Sequence, residues 1–98
     1  MKVKIGNYYW KVEFDPNVKL DGADGQTQSN ELKILIRNDL SKEVTRAVLI
    51  HEIVHATLDM QGRVYQENFN VEEVCEFIAW NIDSIKEIVD YCIKEFYK

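Results

Sequence analysis

Hydrophobic residues in this chain change period once, and the change divides it into a strand-forming half and a helix-forming half. Between residues 2 and 14 they alternate. Val3 and Ile5 share one face; after Gly6-Asn7, the residues Tyr8, Trp10, Val12 and Phe14 share another, with Tyr9, Lys11 and Glu13 opposite. Period two, carried by aromatic and β-branched residues, predicts strands, and Gly-Asn suits a two-residue hairpin turn. Residues 31–37 alternate again: Leu32, Ile34 and Ile36 on one side, Lys33 and Arg37 on the other, with Leu35 as an exception. From Ser41 onward the spacing is three and four, the period of a helix. This order predicts an α+β fold: a small antiparallel β-sheet, made of the N-terminal hairpin and strand 31–37, packed on two helices.

The first helix is expected over about residues 41 to 60. Ser41 suits the N-cap, Glu43 favours the positive end of the dipole, and Gln61-Gly62 is a natural stop with Gly62 in the left-handed position. Val44, Ala47, Val48, His51, Val54, His55 and Leu58 mark its apolar face. Apolar residues on nearly every side after Val48 predict a central, buried helix. The last helix is expected over about 70 to 97. Asn70 and Glu73 form a capping box, and Phe69 and Val74 a hydrophobic staple. Its stripe runs Val71, Val74, Cys75, Ile78, Ile82, Ile85, Val89, Cys92, Ile93 and Phe96. One helix and two helices broken near Asp83-Ser84 both fit. Residues 15 to 30 read as loop; Asp21-Gly22-Ala23-Asp24-Gly25 lacks the ligand register of a calcium loop.

The 98 residues make room for one domain, and 46% hydrophobic with 30% charged is a globular mix. Seventeen acids against 12 bases give a net charge of -5, which disfavours a nucleic-acid partner. No apolar run approaches the roughly 18–20 residues of a membrane span. The start turns polar too soon for a signal peptide, so a cytoplasmic protein is expected. Cys75 and Cys92, on one helix, stand roughly 25 Å apart at 1.5 Å per residue, too far for a disulfide. Two free thiols fit a reducing compartment.

The two histidines frame His51-Glu52-Ile53-Val54-His55. Positions four apart stack on one helix face, so two imidazoles can reach one Zn²⁺. Glu52 is turned by about 100° along the helix, better set to accept a proton from a water than to bind metal. In a shuffle of this composition the pair with its glutamate arises roughly once in five hundred. Leu58 and Gln61 stand where a three-histidine site has Gly and His, so the third ligand must be an acid or a thiolate. The nearest cluster is Glu72-Glu73-Val74-Cys75-Glu76. With Glu73 engaged in the capping box, Glu72 is the preferred ligand. Glu76, four residues on, would steady a ligand histidine through its other ring nitrogen. Glu73, Glu76 and Cys75 follow as alternatives, in that order.

His-Glu-Ile-Val-His followed by a helix-borne Glu resembles the gluzincin zinc metallopeptidases. The spacing of His55 to Glu72 is close to that of the thermolysin-like members, and Glu72-x-x-x-Glu76 is similar to their Glu-x-x-x-Asp. The arrangement resembles the single-domain minimal gluzincins and the phage-associated ImmA/IrrE-like proteins, whose Glu-Ala-Asn-x-Phe-Ala pattern would align on Glu73 and make it the ligand instead. The resemblance implies one zinc ion, Glu52 as general base, a peptide or protein substrate, and Tyr65 as candidate oxyanion stabiliser. The substrate would pair with an edge strand, expected at residues 31 to 37 with Thr27 to Asn30 leading in. The alternative is a non-catalytic, zinc-stabilised binding or regulatory module, with Tyr8, Tyr9, Trp10 and Trp80 as candidate partner-facing aromatics.

Overall fold

A computed structural model of the chain describes residues 1–15, 23–62 and 70–98. It is an α+β fold with four strands, β1 (Lys2–Ile5), β2 (Tyr8–Phe14), β3 (Gly25–Gln28) and β4 (Lys33–Ile36), followed by helices α1 (Lys42–Met60) and α2 (Val71–Phe96). β1 and β2 form the expected hairpin, closed by Gly6 at φ +64°, a conformation that glycine adopts without penalty. The sheet order is β1-β2-β4-β3.

β3 was not legible in the loop-like stretch, and it changes two expectations. It pairs antiparallel with β4, with Gly25 opposite Ile36 and Thr27 opposite Ile34. The chain thus reverses twice between β2 and β4, and those two strands run parallel, with Val12 opposite Ile34. The sheet is mixed where an antiparallel one was expected. β3 also occupies the outer position, so β4, the core of the expected edge, lies inside the sheet.

Both helices pack on one sheet face. Val3, Ile5, Trp10, Val12, Ile34 and Ile36 join Leu49, Ile53 and Ala56 of α1 and Phe77, Ile85, Val89 and Cys92 of α2 in one buried cluster. Each fully buried aliphatic chain of this kind contributes about 1.5–3 kcal/mol. Trp10 is completely buried and is therefore a core residue, whereas Tyr8, Tyr9 and Trp80 are exposed.

The helix signals act as the sequence implies. Ser41 accepts the N–H of Val44 at 3.2 Å, and Asn70 accepts that of Glu73 at 2.8 Å. Gly62 has φ +71°. α2 is one unbroken helix. Phe69, the outer half of the expected staple, lies outside the described residues. No helix among the described residues is long and apolar enough to cross a membrane.

α2 runs antiparallel to α1. Gln61 donates to Asn81 at 2.7 Å, Arg46 lies 3.8 Å from Asp90, and Tyr97 hydrogen-bonds Thr45 at 3.2 Å. α1 therefore ends opposite Asn81, and the preceding ten residues of α2 extend past it by about 15 Å at 1.5 Å per residue.

Candidate active site

α1 buries Thr45, Leu49, Glu52, Ile53 and Ala56. This stripe is rotated from the expected one. Val44, Ala47, His51 and His55 are exposed, and Val48, Val54 and Leu58 are half-buried. α1 is thus a one-sided helix, not the central buried one expected. The reason lies in the sheet: Leu49 and Ile53 meet its core, and the turn bearing Glu52 rests on β3. The histidines come next around the helix and overhang the sheet edge. Their rings meet edge to face with centroids 4.8 Å apart.

Glu52 is 7% exposed, a buried carboxylate between exposed imidazoles. The Thr27 hydroxyl, from β3, lies 2.8 Å from Glu52 Oε1 and 3.1 Å from the Glu52 carbonyl, and its single proton is shared between these acceptors. Glu52 Oε2 lies 3.9 Å from His51 Nε2. The close seating depends on Gly25: a Cβ there would stand 2.8 Å from Val48 Cγ1 and 3.2 Å from Glu52 Cγ. A side chain at this position would push α1, and Glu52 with it, away from β3.

An ion cluster holds β3 in register beside the helix. Arg37 pairs with Asp24 at 3.1 Å and with Asp39 at 2.8 Å. Its guanidinium, hydrogen-bonded to Asp39, is held above its ordinary pKa, and the same bond holds the Asp39 carboxyl below its own. Farther along, the Ser29 hydroxyl donates to Asp59. Asp59 lies one turn after His55 on the same side of the helix. Gly25, Thr27, His51, Glu52, His55 and Asp59 line a groove of ≈ 350 Å³. A second hollow of ≈ 340 Å³, with Asp24 and Val48 in its wall, adjoins it at His51 and Glu52.

His51, Glu52 and His55 are thus brought together. Glu72 and Glu76 are exposed on the part of α2 that extends past α1. With Asn81 opposite Gln61, both antiparallel helices lead away from that contact, which sets Glu72 roughly 20 Å from His55 at the helical rise. Glu73 is half-buried. Its Oε1 accepts from Asn70 Nδ2 at 3.3 Å, while its Oε2 is buried with no hydrogen-bond partner among the described residues. The Glu73 carboxylate thus meets the Asn70 side-chain amide and not the backbone N–H that a capping box uses, so only the Asn70 half of the expected box is formed. Among the described residues no three His, Cys, Asp or Glu side chains are gathered as a metal cage. Tyr65 lies outside the described residues. As donors, two neighbouring exposed imidazoles with a carboxylate beneath them fit a divalent ion for two ligands of a cage.

Sequence reasoning missed Gly25, Thr27 and Asp59. Asp59 was within reach, standing four residues after His55 on the helix. Gly25 and Thr27 carried no local signal, since what matters is their position against Glu52. Comparison with protein-family models, with curated proteins and with solved structures gave no match.

Proposed function

We propose that this chain is a zinc-dependent metallopeptidase that hydrolyses peptide bonds, with Glu52 as its general base. The observation that carries the reading is the buried Glu52 carboxylate, bonded to Thr27 at a sheet edge, between two imidazoles that open into the same groove. Zinc held by His51 and His55 would supply Lewis-acid polarisation of a carbonyl and acidification of a water. Glu52 would serve as the base that takes a proton from the attacking water and returns it to the leaving amine. Thr27 holds Oε1, so Oε2 is the oxygen left to exchange protons. The substrate lies extended along β3. Arg37 N–H donates to the Asp24 carbonyl, and ladder bonds alternate along an antiparallel pair, so the backbone groups of Gly25 and Thr27 point outward to receive it. Free Cys75 and Cys92 suit a cytoplasmic setting.

On the gluzincin resemblance the third ligand would be Glu72, with Glu73 as the alternative and Glu76 in support, although these acids stand on the part of α2 that leads away from the histidines. Asp59 gains weight from its position in the groove beside both histidines. Zinc content of Glu72→Ala, Glu73→Ala and Asp59→Ala, measured after dialysis against metal buffer, decides among them. The ligand's variant is expected to lose about 10-fold or more in affinity, while the others stay near the wild type.

Glu52→Gln is the decisive variant. It is expected to keep one zinc per chain and to lose at least about a hundredfold in kcat on a peptide library. Turnover retained in Glu52→Gln refutes the general-base role. The distance of the α2 acids from the histidines favours a second reading, a non-catalytic zinc-stabilised binding module. One zinc per chain with no peptide cleaved by the wild type would support that reading against the first.

A further inference from the structure

Both helices lie on one face of the sheet, and no described element covers the other. Val3, Trp10, Val12 and Ile34 are buried under the helices, so strand alternation sets Lys2, Lys4, Tyr9, Lys11, Glu13 and Lys33 on the open side. Three of the lysines fall in one row. Lys2 is in register with Lys11 across β1 and β2, and Lys11 with Lys33 across β2 and β4. At about 4.8 Å per strand the row is roughly 10 Å long. Lys4, the next residue of β1 on this face, stands opposite Tyr9, which is 66% exposed.

Like charges directly opposite one another cost stability, and this sheet opposes them twice in succession. Glu13 is the one acid among the strand residues of the face. It pairs with Lys11 at 2.9 Å, and that hydrogen bond, with the charges of Lys11 and Lys33, holds its carboxyl below the ordinary carboxylate pKa. Lys2, Lys4 and Lys33 have no ion pair among the described residues. Glu87 of α2 borders the same hollow as Lys2 and Lys4 at the β1 edge without pairing with either. Asp24, beyond the end of β3, is engaged by Arg37. The face therefore concentrates free cations in a chain of net charge -5, and the rest of its surface is more acidic still.

A ligand for this face must be anionic and short. A nucleic acid carries its charges far beyond a row of this length, into the acidic surface, and one exposed aromatic gives no succession of stacking platforms. An anionic bilayer is larger than the molecule and would meet the acidic surface too. A few carboxylates close together, beside an apolar side chain, match the lysines and Tyr9.

We propose that the open sheet face binds a short acidic segment of a partner protein, with its carboxylates on Lys2, Lys11 and Lys33 and an apolar side chain on Tyr9. The face lies on the side of the sheet away from the helix that bears His51 and His55, so the proposal does not depend on hydrolysis.

The test uses the full chain and two labelled peptides of about ten residues, one of Glu with a central Leu and the other its Gln counterpart. Fluorescence anisotropy is followed at about 0.1 M salt, where charges act over about 10 Å. The Glu peptide is expected to bind about tenfold more tightly than the Gln peptide. Lys11→Gln with Lys33→Gln should weaken it about fivefold or more. Lys86→Gln with Lys94→Gln makes the same change in net charge on α2 and should leave affinity within about twofold. Tyr9→Ser should weaken binding about threefold at unchanged charge. The melting temperature of the Lys11/Lys33 variant should hold or rise, because the substitutions relieve opposed like charges. The proposal is overturned if the Glu peptide binds no more tightly than the Gln peptide, or if the two double variants weaken it equally. It is also overturned if single-stranded RNA or phosphatidylserine vesicles bind more tightly than the Glu peptide and lose that binding in the Lys11/Lys33 variant, or if sedimentation shows self-association that this variant dissolves.

Discussion

Along the C-terminal half of α2, Ile85, Val89 and Cys92 are 5, 0 and 0% exposed; earlier on the same face, Val74, Ile78 and Ile82 keep 41, 50 and 49% of their surface. Residue types, spacing and helix are common to the two halves. What differs is the neighbour. The later half lies against the sheet and α1; in the earlier half Phe77, on an adjacent side of the helix, still joins the core cluster, while the stripe itself runs past the end of α1. Amphipathic spacing tells which face of a helix gains by burial, and the lengths of the surrounding elements decide whether the chain buries it.

The two cysteines give the widest measurable contrast, one in each half. Cys75 is exposed and Cys92 is buried. Burial also pushes the Cys92 thiol up to about 11, so it holds little of the reactive thiolate near neutral pH. In the native protein an alkylating reagent should modify Cys75 at the rate of an open thiol. Cys92 should wait for global unfolding, about a thousandfold slower or more for a domain of ordinary stability. Mass spectrometry of a labelling time course reads both sites at once. Comparable rates would mean that the later half opens as readily as the earlier one, and the contrast would be lost.

Truncation gives a smaller effect in the same direction. Ile85→Ala removes a side chain from the core cluster and should cost about 2–5 kcal/mol. Ile78→Ala removes the same atoms from a half-exposed site and should stay within about 0.5 kcal/mol. Urea unfolding of the two variants makes the comparison. A loss of about 2 kcal/mol at Ile78 would show that something covers the first half of α2 in solution.

Much of this fold was legible because its signals are local. Ser41, Asn70, Gly62 and the two periods announced where each helix begins, ends or turns, and each acts within one or two helical turns of its own position. The misses were long-range. β3 has little apolar alternation, and its strand character comes from Thr27 and Gly25 lying opposite Ile34 and Ile36 beneath α1. That one unseen strand accounts for both the parallel pairing of β2 with β4 and the misassigned edge. The same holds at the groove. His51, Glu52 and His55 were visible as a spacing on one helix, and Thr27, which orients Glu52, is 25 residues away in sequence. The rotation of α1 that leaves both histidines exposed was hidden too, since apolar residues surround the helix in sequence and only the sheet selects which of them it covers.

The least of the expected effects distinguishes what holds each half of α2. The later half is held by packing at three core positions, the earlier half by Phe77 and by its cap, where Asn70 accepts the Glu73 N–H at 2.8 Å and its amide meets the Glu73 carboxylate at 3.3 Å. Asn70→Ala should cost about 1 kcal/mol, and the cost should stay local. Amide exchange in the first turns of α2 should quicken about fivefold, the factor that corresponds to 1 kcal/mol at RT of about 0.6 kcal/mol, while amides near Val89 and Cys92 exchange as before. The melting temperature should barely move, because the cap's turns can fray without disturbing the core. A cap lost from a fully cooperative domain of this size would instead lower it by about 4–8 °C. A fall of that size would show that α2 unfolds as one unit, and the exposed half would then draw stability from the buried half through the continuous helix.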